Sequence, residues 1–140
     1  MKKTILLITC IIFSLSCVFA FTACAKMKYA GLYEMTDISG YVTVKGQRTN
    51  LTKDLYEYYT ISLKRSGKAV VRTKAKSDRV EYKTEGTWRV NGDAIEITTK
   101  QDGSSVVEKM TWKDGVLHYW DYQNSYELSF YVSIILTRHR

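Results

Sequence analysis

Proline is absent from the chain, and the three cysteines, Cys10, Cys17 and Cys24, all lie at or before position 24. The body that follows therefore has no disulfide framework to hold it together. Histidine occurs twice, as His118 and His139, and two such separated imidazoles do not make the clustered ligand spacing of a zinc site. No nucleophile elbow, phosphate-binding loop or dinucleotide-binding glycine pattern is present. His118 and Asp121 lie close in sequence, but residues three apart on a strand face opposite sides, so they do not form a catalytic pair. These absences point away from an enzyme and away from a metal or cofactor. There is also no linker, low-complexity tract or second block of composition, which leaves one compact domain after the N-terminal segment.

That N-terminal segment carries the address. Lys2 and Lys3 precede an apolar run from Thr4 to Ala20, and Phe21-Thr22-Ala23-Cys24 follows. A basic start, an apolar middle and a small-residue exit make an export signal. The exit resembles a bacterial lipobox, with Phe21 where Leu is usual. The resemblance implies that Cys24 is acylated, becomes the mature N-terminus and tethers the protein to a membrane of the cell envelope. On that reading residues 1–23 are the signal, 24–29 a short tether and 30–140 the domain. Two alternatives stand beside it. Ala23-Cys24-Ala25 is also an A-x-A site, at which cleavage after Ala25 releases a secreted protein, and the apolar run is about long enough to stay as an anchor.

What remains after the signal is roughly 115 residues, enough for a single core. Without Lys2 and Lys3 it carries 19 basic against 14 acidic residues, and it is rich in tyrosine. Aromatic and β-branched enrichment suits a pleated, half-buried surface. Alternation of period two runs through Tyr59-Ile61-Leu63, through Val80-Tyr82 and Gly86-Trp88-Val90, through Ile95-Ile97-Thr99, and from Leu128 to Leu136. Ser66-Gly67, Asn91-Gly92, Asp102-Gly103 and Asp114-Gly115 fall between such stretches, and Asn-Gly and Asp-Gly supply the positive φ of tight hairpins. With Ala30–Met35, Lys68–Ala75, Val106–Trp112 and Val116–Tyr122, this predicts about eight strands. The fold class is all-β, a single antiparallel up-and-down barrel, in which closure removes the exposed edges. Lys45 to Tyr56 is too long for a hairpin. It predicts either a solvated connector or a flap over one mouth, with a helical turn capped by Asn50 or Thr52.

Three stretches carry a family resemblance. Gly31-Leu32-Tyr33 resembles the G-x-W element of lipocalins, with Tyr in place of Trp, and Leu136-Thr137-Arg138 resembles their closing strand, whose Arg packs over that aromatic. Gly86 to Thr98 (GTWRVNGDAIEIT) resembles a phrase repeated in bacterial lipocalin-like domains, small exported barrels that are often lipoproteins. The resemblance implies an eight-stranded barrel whose interior holds a small apolar ligand.

Two surfaces follow as candidates. Tyr59, Ile61, Leu63, Tyr82, Trp88 and Phe130 are expected to point inward, and with Trp112, Tyr119, Trp120 and Tyr122 they form either a core or a ligand pocket. Tyr59, Trp88, Trp112 and Trp120 are the candidate ligand residues, for a small apolar or amphipathic ligand. The second surface is basic: Lys64, Arg65, Lys68, Arg72, Lys74 and Lys76 fall in a stretch without an acid. It is either a solvated outer face that discourages edge pairing or a patch for anionic lipid headgroups, wall polymer or protein. Nucleic acid suits the charge equally well, but the export signal argues against that partner.

Overall fold

A computed structural model describes residue 24 and residues 26–139; the proposed signal segment and Ala25 lie outside the described residues. Nine strands follow one another: β1 (Gly31–Val44), β2 (Gln47–Asn50), β3 (Tyr56–Leu63), β4 (Lys68–Ala75), β5 (Tyr82–Asn91), β6 (Ala94–Gln101), β7 (Ser104–Lys113), β8 (Val116–Asn124) and β9 (Leu128–Arg138). Neighbours from β3 to β9 pair antiparallel in chain order, β1 pairs with β3, and β9 returns to pair with β1. The result is a closed eight-stranded barrel, with the short β2 attached to the tip of β1. The all-β, up-and-down expectation therefore holds, but β1, read as Ala30–Met35, runs on to Val44, and β2 was not read from the alternation.

Turn chemistry accounts for the connections. Asp102-Gly103 and Asp114-Gly115 have positive φ at both residues (49° and 82°, 50° and 83°), the backbone of the two-residue hairpin turn whose twist matches its strands. Gly86 is required for a different reason: a Cβ there would lie 2.1 Å from the Thr98 carbonyl oxygen. It lets β5 and β6 approach where Trp88 turns inward. Asn91 ends β5 and donates to Glu96 (2.9 Å), whose other carboxylate oxygen accepts from Arg89 Nε (2.7 Å). Asn91 and Arg89 hold the shielded Glu96 carboxyl below the usual carboxylate range.

Two expectations are corrected. Lys45–Tyr56 is not one long connector: β1 extends to Val44, turns at Lys45-Gly46 and returns as β2. Only residues 51–55 then cross to β3, through a 3-10 turn at Lys53–Leu55. Leu51 packs against the core and its N–H donates to the Gly40 carbonyl (2.9 Å). Tyr82, expected inside, is 56% exposed at the far rim, where its hydroxyl donates to Asp78 (2.7 Å). The alternation is correct there, but the wall has ended, so an inward parity meets solvent.

The core fills one half of the barrel. Tyr33, Ile61, Leu63, Trp88, Ile95, Ile97, Met110, Leu117 and Leu136 are buried there. Residues 26–29 form a helical turn over this end. Tyr33 donates to the Tyr29 carbonyl (2.6 Å) and accepts from Trp112 Nε1 (3.0 Å), while Arg138 donates to the Lys28 carbonyl (3.1 Å). Tyr29 meets Trp112 edge to face at 4.8 Å, with the Lys28 ammonium 4.9 Å from the Trp112 ring centre. The chain thus enters the barrel through a stitched end. Trp88 belongs to the same half: it is 3% exposed and its indole N–H donates to the Lys64 carbonyl (2.8 Å). Replacing Trp88 by Ala removes the largest core side chain on β5 and is expected to cost about 3–5 kcal/mol. Chemical denaturation of the two proteins measures it, and near-neutral stability contradicts the core assignment.

Candidate functional site

The half of the barrel away from the stitched end is built differently. Strand pairing lapses most extensively in two places, besides a shorter parting of β5 and β6 beyond Gly86↔Thr99. β1 pairs with β3 only over Gly31–Glu34, but residues 51–55 bridge that seam, tied by Leu51 to Gly40 and by the Lys76 N–H to the Leu55 carbonyl (2.9 Å). The second seam is unbridged. β7 and β8 pair only at Thr111↔His118, Trp112↔Leu117 and Lys113↔Val116. Above these pairs β7 stays with β6 as far as Ser104 and β8 stays with β9 as far as Asn124, so the two strands part company. The opening between them is a cleft of about 350 Å³ bordered by Val106, Glu108, Tyr119, Trp120 and Asp121.

Register decides what the cleft presents. Glu108 stands opposite buried Ile97 and Asp121 opposite Val132, so both carboxylates point inward. Tyr119 lies opposite Ile134, also inward, and its hydroxyl donates to Asp121 (3.3 Å). Tyr59 of β3 approaches from across the barrel. Burial raises the Tyr59 phenol, with Glu108 and Tyr119 adding to the effect. Burial likewise raises Tyr119, with Glu108 and Asp121 behind it. Glu108 itself is raised by burial first and by Asp121 second. Thr73, opposite Tyr59 in the β3–β4 pairing, has a buried hydroxyl oxygen with no hydrogen-bond partner. The far half is therefore a layer of phenols and carboxylates above an apolar plug.

The four aromatic candidates do not meet in one pocket. Tyr59 faces this polar layer. Trp88 is in the plug, and Trp112 is at the stitched end. Trp120 is 61% exposed at the lip of the cleft, with Tyr122 exposed beside it on the outer face. Glu108 was not singled out from the sequence, and Asp121 entered there only as a rejected partner for His118. A charged residue at an inward parity was the signal that could have found Glu108, within Val106-Glu108-Met110-Trp112.

The six basic candidates are likewise divided. Lys68 pairs with Glu85 (2.7 Å), Lys74 with Glu57 (2.7 Å) and Arg72 with Glu81 (3.7 Å). Lys68 and Lys83 together hold the Glu85 carboxyl at about 2. The acids missing from the hairpin's own sequence are supplied by β3, β5 and the segment before β5, so its outer face is largely neutralised. Lys64 and Arg65 are at the β3–β4 turn, where the Lys26 ammonium lies against Gly67. Cys24 is exposed at this same N-terminal end. His118 bonds Ser133 (2.8 Å) on the outer face, turned away from Asp121.

Glu108 is expected to make stability pH-dependent. Its pKa in the folded chain lies above the ordinary 4.5, so between those two values the folded state holds more protons than the unfolded one. Stability then falls as pH rises through that window. Glu108→Gln should remove the fall and raise the melting temperature near neutrality by a few degrees, as thermal melts across pH will show. A variant less stable than the parent at neutral pH contradicts the assignment.

The chain matches no protein-family description and no curated protein sequence. It is similar to an uncharacterised protein from Bacteroides eggerthii DSM 20697 whose crystal structure was solved at 2.60 Å. The two are 11% identical, with 79% of this chain and 99% of that chain covered and a TM-score of 0.44.

Proposed function

We propose that this is an exported, lipid-anchored, lipocalin-like barrel of the bacterial cell envelope that binds a small amphipathic ligand and carries out no catalysis. The observation that carries the reading is the unbridged β7–β8 seam, which opens a polar, aromatic interior to solvent on the far side from the N-terminus. The cleft volume falls in the range of small-molecule sites, and phenols with carboxylates beside apolar walls suit an amphipathic guest. Acylation of Cys24 supports the stitched end facing the membrane, because only residues 25–29 separate that cysteine from Ala30 and β1. Each buried methylene of an acyl chain adds about 0.8 kcal/mol of anchoring. The Tyr33–Arg138 end and the Gly86–Thr98 hairpin support the lipocalin-like assignment.

Contact with an anionic envelope surface is a second reading, favoured by the position of Lys64 and Arg65 beside Lys26 at the end that bears Cys24. Each cation near such a surface contributes about 1 kcal/mol and is screened by salt. Substituting Lys64 and Arg65 by Gln should then weaken salt-sensitive binding to anionic vesicles, whereas Arg72 and Lys74, already paired, should matter less.

Intact mass of the protein recovered from a bacterial host tests the anchor. An acylated N-terminal Cys24 is expected, and Cys24→Ala should leave the protein unacylated. A mature chain beginning at Lys26 means secretion without a tether. For the ligand, a hydrophobic fluorescent probe should bind saturably, and Trp120→Ala should weaken it. Binding unaffected by Trp120 moves the site away from the seam.

A further inference from the structure

The chain is basic overall, at +7, and four glutamates along its outer wall have cations to match, although among the described residues Glu34 and Asp37 on β1 do not. Glu57, Glu81, Glu85 and Glu96 all lie against a Lys or Arg. Glu108 and Asp121 do not: among the described residues no ion pair reaches either. Lys109, the cation at the lip of the cleft, points the other way, 3.6 Å from Glu96 on the outer face. Two inward carboxylates flank the seam from opposite sides, one on β7 and one on β8, in a partly dry layer. Like charges so placed raise each other's energy, and burial adds a cost that a fixed cation would offset.

The groups around them are of the right kind for such a cation. Tyr59 and Tyr119 present phenol rings, and the exposed Trp120 indole lies at the entrance. Aromatic faces attract ammonium groups. Thr73, beside Tyr59 on the far wall and outside the cleft lining, has a buried hydroxyl oxygen with no partner. Buried polar atoms are rarely left in this condition. Val106 and Val107 add apolar surface on the β7 side of the cleft.

We propose that the β7–β8 seam takes a cationic amphiphile, with its protonated amine between Glu108 and Asp121 and its apolar part along Val106 and Trp120. The proposal rests on the reading of this seam as the ligand site and names the class of ligand. A neutral amphiphile finds the same apolar wall but leaves both carboxylates without a countercharge, Asp121 keeping only the Tyr119 hydroxyl (3.3 Å) and the Tyr122 N–H (2.8 Å). An anionic one meets them with the wrong sign.

Three probes of equal chain length separate the cases: n-octylamine, 1-octanol and n-octyl sulfate, titrated calorimetrically into the full-length protein near pH 7, where the amine is charged. Octylamine is expected to bind at least about tenfold more tightly than octanol, the worth of one charge-assisted contact, with octyl sulfate weaker than both. Glu108→Gln and Asp121→Asn should each lower amine affinity about tenfold while octanol binding stays the same. A thermal melt of each variant confirms folding, and Glu108→Gln is expected to gain stability as it loses the amine. Equal affinity for octanol and octylamine, or preference for octyl sulfate, overturns the cationic assignment and leaves the seam as a site. Failure of all three probes to bind overturns the seam itself.

Discussion

Pairing of β1 with β9 closes the sheet, and the remaining features of the barrel follow from how β1 divides itself. It serves β3 over its first residues, β9 over nearly its whole length and β2 at its tip, with a register shift between Met35 and Asp37 where one duty gives way to another. An eight-stranded barrel has an interior that side chains can just fill. Near the start of β1 they do so: Tyr33, Trp88 and Leu136 occupy the space, and Tyr29, Trp112 and Arg138 close the end above them. Farther along, β1 has left β3 and β7 has left β8. The circumference is no longer held by hydrogen bonds at every step, and the interior changes from aliphatic to phenolic and acidic.

The two seams differ in a way that bears on function. Unpaired strand edges expose backbone donors and acceptors, a liability that proteins ordinarily cover. At the β1–β3 seam the chain supplies Leu51 to Leu55 as a cover. At the β7–β8 seam no described segment plays that part. The same contrast holds for charge. Along the wall acids and bases alternate across neighbouring strands and neutralise one another, as at Lys68, Glu85 and Lys83. Inside the seam Glu108 and Asp121 depart from that rule. Two inward carboxylates at a cleft, with burial raising the Glu108 pKa, mark where a binding site is to be sought.

Much of this was legible in the residues. Period-two alternation and the Asp-Gly turns are local properties, and they predicted most of the strands and the closed antiparallel class, but neither β2 nor the length of β1. Trp88 and the Tyr33–Arg138 end were also accessible, because short phrases such as Gly86–Thr98 encode a hairpin and its core contact together. Tyr82 shows the limit of alternation. Parity says which way a side chain points, not whether any wall stands there to bury it.

What the sequence by itself determined is most of the strands, the Asp-Gly hairpin turns, the apolar N-terminal stretch and the excess of basic residues. Only the tertiary structure decided where those charges are neutralised, because Glu57, Glu81 and Glu85 reach the basic hairpin from elsewhere along the chain. It alone decided that Trp88, Trp112 and Trp120 belong to three different places. It alone opened the seam that brings Glu108 and Asp121 together, since strand separation is set by how the whole sheet closes. Neither strand carries in its own residues the information that its neighbour will leave it.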